Sequence, residues 1–214
     1  MAFYTNYIPD PFIYKIYEET LNQLNDFFGF KWKENKPKIY VVSNRKTINM
    51  LVQEETKRWV VGWPDKKDIF ILDRKNYEKE SSEPYREVYY KGLIIHELVH
   101  SYFSKITKDR YEPMWISEGI ARYLAGENNY RKKPKQFSKF LKFYKLRADN
   151  EVYHESGHAI KLLVEKYGKN KFVKLIKHLP SITSKEVFNK LFKKVYGFEA
   201  NYDNFNRLLN PDSF

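Results

Sequence analysis

Apolar positions recur every three or four residues near the start of the chain, at Ile13, Ile16, Tyr17, Leu21, Leu24 and Phe28. That period lets an α-helix bury one face, and Gly29 supplies a stop, so a helix is predicted from Pro11 to Phe28. The pattern then shortens. Lys38 to Val42 and Asp68 to Leu72 are brief runs rich in β-formers, with a mixed stretch from Ile48 to Lys57 between them. Trp59 to Trp63 reads as a further strand that leads into a turn at Pro64 and Asp65.

Helical signals return with Ser81, Ser82, Glu83 and Pro84, which combine a cap, an acidic first turn and an early proline. A helix is predicted to start there and run to about Phe103 or Ile106. From Ile116 onward the chain reads as helices only. Arg131 to Arg147 carries Phe137, Phe140, Leu141, Phe143 and Tyr144 at helical spacing. Another helix opens at Asp149, Asn150 and Glu151 and stops at Tyr167 and Gly168. Asn170 can cap the next and Pro180 close it, and a later one runs from about Ser184 to Tyr196 and Gly197. The fold class is therefore α+β in one domain. A small sheet subdomain occupies about residues 1–80 and a helical subdomain about 81–214, with the substrate cleft expected between them.

Composition bounds this picture. A chain of 214 residues with 42% hydrophobic and 18% aromatic content can bury a core, so a disordered majority is excluded. The absence of cysteine excludes disulfides, thiolate zinc clusters and cysteine nucleophiles. No apolar run reaches the length of a membrane span, and Met1 to Asn6 lacks a basic flank and an apolar signal core, so a soluble, cytoplasmic protein is expected. A mature secreted form from which a signal had been removed would read the same way.

His96-Glu97-Leu98-Val99-His100 is the stretch that carries chemistry. Four residues of helix turn through about 400°, so the two imidazoles project from one face within reach of a single ion. Glu97 lies about 100° further round, placed to take a proton from water activated by that ion. Chance produces such a five-residue pattern in on the order of one chain in a hundred of this length. A third ligand is needed, because a catalytic zinc takes three protein ligands and keeps one position open. Glu118, eighteen residues after His100 within Trp115-Ile116-Ser117-Glu118-Gly119-Ile120-Ala121, is the candidate. Burying two histidines and a glutamate among Leu93, Ile94, Ile95, Leu98 and Val99 is costly without a partner such as a metal. Gly92, one turn before His96, serves either as a bare spot beside the ion or as a close-packing point.

The HExxH motif, the interval and the WISEGIA string together resemble the gluzincins, the thermolysin-like and aminopeptidase-N-like zinc peptidases. The resemblance covers Ile39 to about Leu179 and is specific only around these two motifs. It implies a zincin-like fold, zinc as cofactor, His96, His100 and Glu118 as its ligands, and Glu97 as general base and proton shuttle. It implies that an extended substrate pairs with an edge strand, expected between Val60 and Leu72. It also places an oxyanion donor on the helix after the glutamate helix, where Tyr153 is the first candidate and His154 the second. His158 completes an i to i+4 pair with His154, a weak metal signal without an accompanying glutamate.

Two features depart from the family. Arg122 stands where thermolysin-like members carry an aspartate that orients a zinc histidine, so Asp73, Glu112 or a backbone carbonyl is left for that role. No exopeptidase signature precedes the zinc helix.

The net charge of +12 is uneven, since Arg131 to Arg147 holds eight Lys or Arg and no acid. A basic helix there would attract an acidic substrate, nucleic acid or an anionic membrane, or be a solvated face. Three function classes follow: a zinc peptidase acting on peptide or protein substrates, a non-catalytic zinc-binding regulator of the same fold, and a basic nucleic-acid-binding protein. Nucleic acid is the less favoured partner. Motifs for serine hydrolases, phosphate-cradling loops, dinucleotide sites and zinc ribbons are missing. A terminus lying in the cleft, with Phe3-Tyr4 or Phe214 as the plug, would keep the protein latent.

Overall fold

The computed structural model describes residues 10–65, 68–144 and 150–211. Residues 145–147 of the predicted basic helix, Asp149, and both terminal plug segments lie outside this range. The described residues form an α+β, mostly helical structure with nine α-helices and one three-stranded sheet. Contacts divide the chain into two compact units, Met1–Ser101 and Tyr102–Phe214, and one helix runs unbroken through the boundary. No described helix is long and apolar enough to cross a membrane.

In the first unit, α1 spans Pro11–Phe28. The Asp10 carboxylate accepts from the Phe12 N–H at its start, Pro11 occupies the first turn, and Gly29 closes it at φ 68°. Strand β1 (Ile39–Val42) is followed by α2 (Arg45–Val52), then β2 (Gly62–Asp65) and β3 (Asp68–Leu72). The sheet order is β1-β3-β2, with β1 parallel and β2 antiparallel to β3. Helix α2 falls within the stretch read as mixed: Asn44 caps it, and Ile48 is its one buried residue, too few for an apolar stripe to show.

The strand expected at Trp59 to Trp63 is displaced, and Pro64 and Asp65 belong to β2 instead of a turn. Pro64 pairs opposite Ile69 from the sheet edge, where a missing N–H costs no ladder bond. The chain before β2 is organised by Arg45. Its guanidinium donates to Thr56 Oγ1 and to the carbonyls of Lys57, Arg58, Val60 and Glu80.

A short turn, α3 (Tyr77–Glu80), precedes α4 (Glu87–Thr107). The predicted start at Ser81 is corrected: the Glu83 N–H donates to Ser81 Oγ and the Ser82 N–H to Arg58 O, so these residues form a turn before the helix. Tyr90, fully buried, donates from its hydroxyl to Leu72 O at 2.8 Å and ties α4 to β3. At Gly62 a Cβ would lie 2.9 Å from Leu93 Cδ1, so β2 rests against α4 one turn before His96.

The second unit holds α5 (Met114–Leu124), α6 (Asn150–Tyr167), α7 (Lys169–His178), α8 (Lys185–Tyr196) and α9 (Tyr202–Leu209). Its core is aromatic: Trp115 meets Phe140, Phe188, Phe192 and Phe205 at centroid distances of 5.3–6.2 Å. Ser184 caps α8 and Gly197 ends it at φ 85°. Helix α7 begins two residues earlier than an Asn170 cap requires, with Gly168 at the cap position.

The basic amphipathic helix expected from Arg131 does not form among its described residues, so the chain beyond Ile116 is not helix alone. Phe137, Phe140 and Phe143 are buried as the spacing predicts, but on irregular backbone. The reason is hydrogen-bond accounting. The Glu155 carboxylate accepts from the N–H groups of Ser138, Lys139 and Phe140, and Asn206 binds both the N–H and the carbonyl of Phe137. These side chains replace the i to i−4 bonds of a helix, and Pro134 has no N–H to contribute.

Candidate metal centre

His96 and His100 lie on consecutive turns of α4, where helical geometry stacks residues four apart. Their Nε2 atoms are 3.0 Å apart and their ring centroids 4.7 Å apart, at an interplanar angle of 72°. Two ligand nitrogens on a tetrahedral zinc, each about 2.0–2.1 Å from the ion, are separated by about 3.3 Å. The observed spacing is close to that of two ligands on one ion. One ligand atom each from His96, His100 and Glu118 lies within 4.8 Å of the others. Glu118 and His100 are 8% and 9% exposed, so their donor atoms face little competing water. Two imidazole nitrogens and one carboxylate oxygen form a donor set that can hold a divalent metal ion.

Glu97 is also buried, at 6% exposure, and sits about 100° round α4 from His96. Its own carbonyl accepts from Ser101 Oγ at 3.2 Å, a bond within the helix.

Glu118 is positioned by the crossing of α5 and α6. At Gly119 a Cβ would lie 2.5 Å from Ile160 Cγ1 and 2.8 Å from Ser156 O. At Gly157, on the opposing helix, it would lie 2.5 Å from Asn128 Oδ1 and 3.0 Å from Arg122 Cβ. Gly119 thus gives way to α6, and Gly157 to Arg122 of α5 and to Asn128 just beyond it. The glycine of the WISEGIA string is required by packing next to the third ligand.

Tyr153 lies one turn before Ser156 and Gly157, on the side of α6 that meets α5, and is half-buried. The Arg122 guanidinium sits 5.4 Å from its ring centroid. His154 is exposed. His158 is 7% exposed, its ring centroid 6.3 Å from that of His154, and its Nε2 is buried without a hydrogen-bond partner. Burial pushes the His158 imidazole down to about 4, helped by the positive charges of His154, Lys161, Lys133 and Arg122. Of the acids considered for orienting a zinc histidine, Asp73 accepts from the Lys75 N–H at the start of a turn, and Glu112 immediately precedes the Pro113 cap of α5.

Two features were not singled out from sequence. Arg122 pairs with Glu127 at 3.2 Å, and Arg131 approaches the same carboxylate oxygen at 3.6 Å. Glu155, the anchor of the irregular stretch, stands in register with the buried Val152, Ser156, Ala159 and Ile160 of α6. An acid at a core position of a helix is a readable signal.

No protein-family model matches the chain, and neither does any curated protein. The donor set and its geometry therefore carry the functional argument.

Proposed function

We infer that this chain is a zinc-dependent peptidase of the gluzincin type. The observation that carries the reading is the approach of His96, His100 and Glu118, from two separate helices, to within 4.8 Å of one another. Zinc suits this donor set, and at such a site it supplies Lewis acidity toward a peptide carbonyl and toward water.

The protein's own groups supply the rest. His96 and His100 hold their ring nitrogens on one side of α4, and Glu118 closes the set with a negative charge that offsets the ion's. Glu97, adjacent to His96, accepts a proton from the attacking water and passes it to the departing amine, in the order hydrolysis requires. Tyr153 donates its hydroxyl to the carbonyl oxygen as negative charge develops there, and Arg122 above the ring favours a charge-stabilising role. His154, exposed on the same helix, is the second candidate donor. Among the described residues strand β2 is an edge strand, and it rests against α4 one turn before His96, where extended peptide can add as a strand.

Metal analysis combined with digestion of a peptide library by wild type and Glu97→Gln tests the reading. Zinc in both proteins and cleavage by wild type alone is the expected result. Equal cleavage by the variant removes Glu97 from its role, and absence of bound metal in wild type removes the reading itself.

A further inference from the structure

Cationic side chains gather around the first half of α6. Arg122 and Arg131 flank Glu127, and His154, Lys133, Lys161 and Arg122 all act on His158. Glu127 is shared between the two arginines and Glu165 pairs with Lys161, so these cations outnumber the acids paired with them.

A shortage of acceptors accompanies this surplus of charge. Arg122 Nε, Asn128 Nδ2 and His158 Nε2 are buried nitrogens without a hydrogen-bond partner, and His158 is 93% buried as a residue. A buried polar group left unpaired is destabilising, so three in one neighbourhood are expected where something outside the chain supplies acceptors. Arg131, Lys133 and His154 are exposed and form the accessible part of the cluster. Arg122 lies one turn beyond Glu118 on α5 and feels its charge, so the cluster adjoins the third ligand. The second unit as a whole is basic: residues 102–214 hold 23 Lys and Arg against 12 Asp and Glu, while residues 1–101 hold 16 against 15.

We propose that Arg122, Arg131, Lys133, Asn128, His154 and His158 form an anion subsite for a carboxylate side chain, which makes acidic peptides the substrate class. A carboxylate matches the need on two counts: it offers up to four acceptor sites for the unpaired donors, and it neutralises part of the local excess charge. The proposal rests on the peptidase reading for the word substrate, whereas the binding itself does not require turnover.

The test uses zinc-loaded Glu97→Gln protein, with a fluorescent Glu-rich peptide and its Gln-substituted counterpart as probes. The acidic peptide binds about tenfold more tightly at low salt, and the advantage shrinks as salt shortens the screening length from about 10 Å at 0.1 M to about 3 Å at 1 M. Arg131→Gln with Lys133→Gln, at exposed positions that leave the core intact, removes most of that advantage and leaves the neutral peptide's affinity unchanged. Equal affinity for the two peptides, binding of neither, or an unchanged preference in the double variant overturns the proposal. Wild type that binds the acidic peptide but cleaves nothing sinks the peptidase reading alone.

Discussion

Two histidine pairs in this protein share a spacing and differ in everything that spacing does not set. His96 and His100 on α4 bring their Nε2 atoms to 3.0 Å, with Glu118 close by. His154 and His158 on α6 stand with ring centroids 6.3 Å apart, one exposed and one buried. Helical register brings both pairs to one face, but among the described residues only the first joins a carboxylate from another element in a possible metal-holding group. At the second, burial and, after it, the neighbouring positive charges disfavour a cation and lower the His158 pKa. A metal site is therefore decided by the third partner and the local field.

Breaking this contrast should be easiest at the first pair. His100→Ala is expected to lose the bound metal entirely, whereas His154→Ala retains it at full stoichiometry; metal content of the purified proteins measures both. Loss of metal from the second variant would place the ion on α6 instead. Glu97→Gln comes next, with metal kept and hydrolysis reduced by about 10²–10⁴-fold, the usual worth of a positioned general base.

A smaller effect sharpens the role of the third partner. Gly119→Ala places a methyl group 2.8 Å from Ser156 O, and overpacking of this kind costs about 1–3 kcal/mol. Its melting temperature falls, and its metal affinity falls with it because Glu118 is displaced. Unchanged affinity would show that the α5–α6 crossing does not set the ligand.

The second pair is expected to reveal itself through pH. His158 titrates at about 4 in the folded protein and near 6.5 unfolded, so the unfolded chain takes up a proton first as pH falls. Stability from this residue is complete above pH 6.5 and is lost progressively between 6.5 and about 4, by on the order of 3 kcal/mol. His158→Gln flattens that part of the pH profile of thermal unfolding, and a profile identical to wild type would refute the assignment.

What could be read from sequence was local. The caps at Ser184 and Gly197, the helix from Pro11 to Phe28 and the strand from Asp68 to Leu72 depend on residues bonding to, or alternating within, their own segment. His96, His100 and Glu118 were legible for a related reason, since HExxH is a statement about one helix face and WISEGIA about the next element. Its partners in space were not. Pro64 reads as a turn former until β3 is known to lie on one side of it only. Phe137, Phe140 and Phe143 fit a helix until Glu155 and Asn206 claim the backbone groups that a helix would use. In both cases the deciding contact comes from a distant segment, and single-segment periodicity contains no trace of it.

That borrowed bonding has a consequence for the stretch itself. From Phe137 to Lys142 every amide hydrogen is engaged, by Asn206, Glu155, the Tyr202 hydroxyl or the Phe140 carbonyl. A peptidase grips its victim by pairing with free main-chain groups, so a lysine-bearing ribbon without helix or strand would ordinarily invite nicking. Here no amide hydrogen from Phe137 to Lys142 is left to grip. The segment should exchange its amide protons slowly and survive digestion as though it were regular structure.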